Sequence, residues 1–200
     1  MTSAAPSFRL AIAVAAASLA GAGNAQTLPP DCSAAAVPAQ PAAVSIAGTQ
    51  FAPKSIKLVS AGGMSVGDQP FDTYRLTLGS EDSLFAPLEA QVTVLVRKGQ
   101  RVDGKVFRKL PTKSTDKQPS PVSGLPEVQG WSLKNGPGKV DFSHVSYVAS
   151  LRLEFGQRQG GTIAGKIYLC VPKGQTTMFD STPSKADSSA IGTFQAQIEQ

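Results

Sequence analysis

The stretch "GGTIAGKIYLCVPKG", residues 160–174, alternates between apolar and other side chains in the way that a β-strand does. Successive side chains of a strand point to opposite faces of its sheet, so these residues divide into two sets. One set is Ile163, Gly165, Ile167, Leu169 and Val171, and the other is Ala164, Lys166, Tyr168 and Cys170. The first set is the more apolar and is expected to face the core. Cys170 is therefore expected on the outer face, beside Tyr168.

The same period of two recurs along most of the chain. Strands are predicted at 71–80, 145–155 and 190–198, with further candidates at 44–47, 55–59, 91–97, 105–110 and 129–133. Segment 190–198 is expected to return antiparallel to 163–171, and 44–47 is expected to pair with the stretch after Phe51. Turn signals separate the strands, among them Gly62-Gly63, Gly67-Asp68, Asp103-Gly104 and Gly160-Gly161.

The frequency of turn-forming residues argues against long helices. The chain has 19 glycines and 15 prolines. Its one helical candidate, residues 80–91, contains Pro87, which is expected to break the helix after about one turn. Short strands at regular spacing predict an all-β fold. We expect a single-domain antiparallel β-sandwich over residues 44–200, with an open barrel as the alternative and an extended N-terminal tail.

Residues 1–25 have the layout of a secretory signal peptide. Arg9 precedes an apolar run that is shorter than the roughly 20 residues a membrane-spanning helix needs. The small residues Gly23 and Ala25 precede the expected cleavage site before Gln26. We therefore expect an exported protein, periplasmic or extracellular, whose mature chain has no transmembrane segment. A retained N-terminal anchor is the alternative.

The two cysteines of the chain predict a covalent link between the tail and the sheet. Residues 26–43 are rich in alanine and proline and are expected to form the extended tail. Cys32 lies in this tail and Cys170 lies in the strand. In an oxidising compartment two such cysteines are most simply joined in a disulfide, with two free thiols as the alternative. The disulfide would draw the tail across the outer face and over Tyr168.

Positive charge is concentrated in the basic segment, residues 97–117, which holds eight basic and two acidic residues, a net +6. The basic residues are Arg97, Lys98, Arg101, Lys105, Arg108, Lys109, Lys113 and Lys117. Such clustering predicts a contact surface for an anionic partner, either an envelope component such as a lipid or glycan, or an acidic protein. The alternative is a solvated edge strand and loop, where charges prevent edge-to-edge pairing. Nucleic acid is not expected, because Phe107 is the one aromatic residue of the segment.

Residues 111–130 contain four prolines and are predicted to form a long surface loop. Shortly beyond it comes Trp131, the one tryptophan of the chain, next to a turn. A tryptophan of a β-sandwich either packs in the core or stacks on a sugar ring. We therefore predict that Trp131 packs in the core, with a glycan-stacking site as the alternative.

Sequence motifs for catalysis, cofactors or metals are not found. His144 is the one histidine, and its neighbour Ser143 would point to the opposite face of a strand. One histidine and two distant cysteines do not supply a zinc ligand set, and no glycine-rich phosphate loop occurs. We therefore predict no enzyme site, no cofactor and no metal.

Three functions remain as hypotheses. The first is an exported, non-enzymatic structural or interaction module that contacts an anionic surface through the basic segment. The second is a carbohydrate-binding module that uses Trp131. The third is a hydrolase whose catalytic site the sequence does not reveal.

Overall fold

The computed structural model describes residues 37–83, 86–111, 127–136, 140–143, 149–174 and 183–199, all of them strand, turn or irregular structure. The strands are β1 (Ala43–Ile46), β2 (Thr49–Phe51), β3 (Ser55–Val66), β4 (Gln69–Gly79), β5 (Leu88–Arg97), β6 (Val106–Lys109), β7 (Glu127–Asn135), β8 (Val140–Ser143), β9 (Ser150–Gln159), β10 (Thr162–Val171) and β11 (Ser188–Glu199). The helical candidate at 80–91 bends at its start and joins β5 at Leu88. The all-β class is confirmed.

The strands form one sheet in the order β6-β9-β10-β11-β3-β4-β5-β7-β8, and β1 pairs with β11 and with β2. Every strand pair is antiparallel except β11 with β3, which run parallel through Gln197 beside Lys57. The prediction of a purely antiparallel fold was therefore wrong at this junction. These two strands are far apart in sequence, so no tight hairpin forces them to run in opposite directions. The pairing gives one open sheet, so the two-layer sandwich is not confirmed.

The inward faces of the strands share one hydrophobic core. It includes residues of β1, β3 to β7 and β9 to β11, and β6 lies in contact with β7, so the sheet curls around its own interior. In β10 the predicted inner residues Ile163, Ile167 and Leu169 are each fully buried in this core. The facing assignment for β10 is confirmed, as is its antiparallel pairing with β11.

The alternation also predicts which side chains of β9 and β11 face the core. Leu151, Leu153 and Phe155 of β9 are buried in the core, and so are Phe194 and Ala196 of β11. In β4 the pattern holds only for the second half: Leu76 and Leu78 are buried in the core, but Phe71 is also buried, on the opposite face.

Three of the predicted turns are confirmed, at Gly67-Asp68, Asp103-Gly104 and Gly160-Gly161. The turn expected at Gly62-Gly63 was wrong, because β3 continues through it with a register shift between Ser60 and Gly63 against β4. Gly62 has a positive φ of 91°, which glycine adopts without strain, so a bulge replaces the turn.

Two further boundaries differ from expectation. The predicted loop at 111–130 ends early, because β7 begins at Glu127, while residues 112–126 lie outside the described residues. Strand β1 begins at Ala43 and pairs with β2 through Val44 beside Phe51, so its partner is the stretch that ends at Phe51.

Candidate functional site

The tail is docked on the outer face of the sheet, next to Cys170. Tyr168 and Cys170 are buried there with Ile191 of β11, and Val37 packs against them. This small cluster is separate from the main core. Cys170 therefore occupies the predicted outer face, where it is buried and where Val37 of the tail packs against its cluster.

Backbone hydrogen bonds fix the next part of the tail. The amide of Ala42 donates to the carbonyl of Thr193 at 2.8 Å, and the amide of Thr193 donates to the carbonyl of Gln40 at 2.7 Å. The Thr193 hydroxyl donates to the same Gln40 oxygen at 3.0 Å. The end of the predicted tail is thus held beside β11, through a parallel bridge between Pro41 and Thr193 that precedes the antiparallel pairing of β1.

Cys170 is disulfide-bonded, and no described cysteine is free. Its expected partner Cys32 lies outside the described residues, as do the predicted signal peptide 1–25 and the tail up to residue 36.

The first part of the basic segment forms a turn at one end of the sheet. The Gln100 amide donates to the Arg97 carbonyl at 2.9 Å, and the Gly99 amide donates to the Asp72 carboxylate at 2.7 Å. The Tyr74 hydroxyl donates to the Gln100 carbonyl at 3.4 Å. These bonds to β4 give the turn a defined position.

The turn continues into β6 through a second set of backbone bonds. The amide of Lys105 donates to the carbonyl of Val102 at 3.0 Å, and the amide of Phe155 donates to the carbonyl of Lys105 at 2.9 Å. Val102 is completely buried in the core. We call residues 97–105 the basic turn; it is anchored to the sheet at both ends.

Five cations lie on or beside the basic turn, and two carboxylates contact either these cations or the backbone of the turn. Asp103 pairs with Arg101 at 3.0 Å and with Arg158 of β9 at 3.8 Å. Asp72 is engaged by the backbone of the turn itself. Exposed Arg97 and Lys98, together with Lys105, make no ion pair with a described residue. The turn therefore carries a local excess of positive charge.

Tyr74 lies beneath these charges. Burial raises the pKa of its hydroxyl, and the nearby Asp72 carboxylate raises this pKa further, while Arg158 and Arg101 oppose the change. Tyr74 is therefore protonated at neutral pH and acts as the hydrogen-bond donor to the turn.

Two basic residues of β6 take opposite directions. Arg108 is exposed on the outer face, where it stands directly opposite Arg152 of β9. Lys109 instead turns inward, and its ammonium group donates to the carbonyl of Ala149 at 3.1 Å. Burial lowers the pKa of Lys109. Lys109 is thus only partly exposed, and Lys113 and Lys117 lie outside the described residues.

The Lys109 ammonium group lies over Trp131, 5.9 Å from the ring centroid. Trp131 is only 4% exposed and belongs to the main core, so little of its ring is accessible for stacking on a sugar. Its indole Nε1 is buried and has no hydrogen-bond partner among the residues that the structure describes. The contact joins β6 and β7 across the opening of the sheet.

Sequence reasoning did not find the residues that other strands bring to the basic turn. Asp72 and Tyr74 come from β4 and Arg158 from β9, and their sequence positions carry no signal for this role. His144 lies outside the described residues. Within the described ranges, no group of three or more metal-binding side chains occurs. In the same ranges, no helix is long and apolar enough to cross a membrane.

Comparison with known proteins gives no relative: no family model, no curated protein and no solved structure matches the chain.

Proposed function

We propose that this protein is an exported, non-enzymatic interaction module that contacts an anionic partner through the basic turn. The observation that carries the proposal is the arrangement of charge. Five cations, Arg97, Lys98, Arg101, Lys105 and Arg158, surround a turn whose backbone is fixed to β4 and β9, and both contacting carboxylates are already engaged. Charges held on a rigid frame lose little conformational entropy when a partner binds.

Export is part of the proposal and rests on two features. The leader 1–25 has a signal-peptide layout, and Cys170 is disulfide-bonded, which suits an oxidising compartment. Cys32 is the one other cysteine of the chain, so we propose a Cys32–Cys170 bond. This bond would hold the tail over Tyr168 and locate the protein in the periplasm or outside the cell.

A charge-removal experiment tests the contact. The mature protein is applied to dextran sulfate resin and to vesicles that contain phosphatidylglycerol, and its release is followed as salt is raised. Arg97→Gln, Lys98→Gln and Lys105→Gln are combined in one variant. We expect this variant to elute at clearly lower salt than the native protein, because exposed charges dominate binding that salt can screen.

The matched control removes the same charge elsewhere. Lys54, Lys173 and Lys185 are exposed and have no ion pair with a described residue. The triple glutamine variant at these positions should elute close to the native protein. Equal losses in the two variants would mean that net charge alone, rather than the basic turn, governs retention, and the proposal would be wrong.

The carbohydrate-binding alternative has less support, because the ring of Trp131 is buried. His144, the one imidazole that the hydrolase alternative could use as a base, lies outside the described residues.

A further inference from the structure

Among the described residues, the terminal strand β6 has an unused backbone edge. It pairs with β9 and with no other described strand. The amide of Phe155 donates to the carbonyl of Lys105, so by the alternation of an antiparallel ladder the odd-numbered residues of β6 bond to β9. The even-numbered residues Val106 and Arg108 therefore direct their amide and carbonyl groups away from β9, toward the open side.

The outer side chains along this edge are unusual for a strand that only avoids pairing. Val106 is 38% exposed and Leu110 is 70% exposed, and among the described residues these are the two exposed large hydrophobic side chains. Arg108 lies between them and is also exposed. With four residues and the charged Arg108, β6 has two features of a protective edge, but the outward positions on either side of Arg108, Val106 and Leu110 just beyond the strand, are apolar.

A like-charge pair marks the middle of the edge. Arg108 stands directly opposite Arg152, an arrangement that destabilises a strand pair. Arg152 is balanced by Glu154 on its own strand. Arg108 makes no ion pair with any residue that the structure describes. A carboxylate on a strand added beside β6 would lie next to Arg108 and would offset this repulsion.

We propose that β6 is a docking edge for an extended acidic peptide segment of a partner protein, which adds to the sheet as a further strand. Strand addition draws affinity from main-chain hydrogen bonds and specificity from alternate side chains. The matching segment carries an acidic residue beside Arg108 and apolar residues beside Val106 and Leu110. The inference deepens the proposed function, on which it rests, by naming the partner as an acidic protein strand.

A second copy of the chain fits this edge less well. Two β6 strands paired with each other would bring the Arg108 side chains of both copies, and the two basic turns, to the same interface. Like charges placed opposite each other on neighbouring strands disfavour pairing.

Val106→Pro tests the proposal without changing any charge. Proline removes the outward amide of Val106 and leaves the bonds between β6 and β9 intact, and proline is tolerated on edge strands where the amide faces solvent. The probe is a short synthetic peptide with valine, glutamate and valine at every second position and threonine between them, so that glutamate can lie beside Arg108 and valine beside Val106 and Leu110; its glutamate-to-lysine version is the control. We expect the native protein to bind the acidic peptide and Val106→Pro to bind it at least tenfold more weakly.

The control variant Val106→Thr keeps the amide and should bind within about twofold of the native protein. Val106→Pro should also keep the native retention on dextran sulfate, which separates strand addition from the charge contact of the basic turn. If Val106→Pro does not fold, the native protein is tested with the peptide N-methylated at alternate residues, and binding should be lost.

Three results would overturn the inference. One is equal peptide binding by the native protein and by folded Val106→Pro. Another is equal binding of the acidic and the lysine peptide. The third is a concentration-dependent dimer that Val106→Pro abolishes, because the occupant of the edge would then be a second copy.

Discussion

Gly165 lies opposite Phe194 in the antiparallel pair of β10 and β11, and the Phe194 ring fills the space that a side chain on Gly165 would take. The ring then meets Phe155 edge-on, with centroids 5.9 Å apart, and Phe155 meets Phe107 in the same way at 5.9 Å. One missing side chain thus permits an aromatic row that links β11, β9 and β6, the strand that we propose as the docking edge.

Replacing Gly165 with alanine should destabilise the protein. The added Cβ would lie 2.5 Å from the Glu154 carbonyl oxygen and 2.9 Å from Cε1 of Phe194, so backbone or ring must move. Overpacking of this kind costs about 1–3 kcal/mol. Urea unfolding measures the change. Gly161→Ala in the adjacent turn is the control, since no atom lies within 4 Å of its Cβ, and a similar loss in both variants would contradict the packing role of Gly165.

Gly192 has a corresponding role beneath the tail. A Cβ there would lie 2.6 Å from the Gln40 oxygen and 2.7 Å from Cα of Ala42, and the φ of Gly192 is +133°. Gly192→Ala should therefore detach the tail from β11, which limited proteolysis and faster exchange of the Ala42 amide would report. Gly62→Ala is the control, because Gly62 also has a positive φ but no atom lies within 4 Å of the position that its Cβ would take. Equal tail protection in the two variants would show that Gly192 is not required for docking.

The sequence predicts well which face of the sheet a side chain occupies, because this depends on the local alternation of apolar and polar residues. Ile163 and Ile167 of β10, like Phe194 of β11, belong to sets of apolar residues that recur at every second position. Burial of one face strongly determines which residues of such a strand point inward. Lys109 carried the same kind of signal, since it shares its parity with buried Phe107 on β6. This parity indicates the inward direction of Lys109, whereas its positive charge had favoured a place on the surface.

The sequence pattern did not predict the order of the strands or the contacts that depend on this order. Three such contacts join residues that are distant in sequence. They are the parallel pairing of Gln197 with Lys57, the repulsion between Arg108 and Arg152, and the approach of Arg158 to the basic turn. A period of two defines a face but not a neighbour. The site was therefore predictable as a charged segment, and not as a constellation of side chains.

The fluorescence of Trp131 should report a buried indole. Because the side chain is 4% exposed, we expect blue-shifted emission, weak quenching by acrylamide and no response to added oligosaccharides. Unfolding in urea gives the exposed reference for the same residue. Strong acrylamide quenching in the folded protein, or a spectral shift with a glycan, would instead favour the carbohydrate-binding function.

Reduction should release the tail if Cys32 and Cys170 are joined. A disulfide that closes a loop of this length contributes on the order of 4–5 kcal/mol in the chain-entropy model. The Cys32→Ser/Cys170→Ser variant should unfold at lower urea, and proteases should cleave before β1 more rapidly. Thiol titration of the native, exported protein should find no reactive group before reduction. Two reactive thiols at that stage would remove the covalent link from the proposal.

The half-buried Lys109 should make stability depend on pH in the alkaline range. Burial lowers its pKa below the model-compound value of 10.5, so between the two values the unfolded chain binds more protons than the folded protein. The free energy of unfolding contributed by Lys109 therefore rises with pH in this window. Lys109→Met removes this dependence, so the native protein should gain stability relative to the variant as pH increases, by less than about 1 kcal/mol because solvent still screens the side chain.

The comparison with Lys109→Met isolates this effect from two opposing groups. The pKa of Lys57 is raised by its bonds to Glu199 and Asp82, and that of Tyr74 is raised by burial, so both lose stabilisation at high pH. Both groups are present in either protein and cancel in the difference. Urea unfolding at a series of pH values measures that difference, with exposed Lys173→Met as the control. A pH-independent difference for Lys109→Met would show that its ammonium group is solvated in the folded protein.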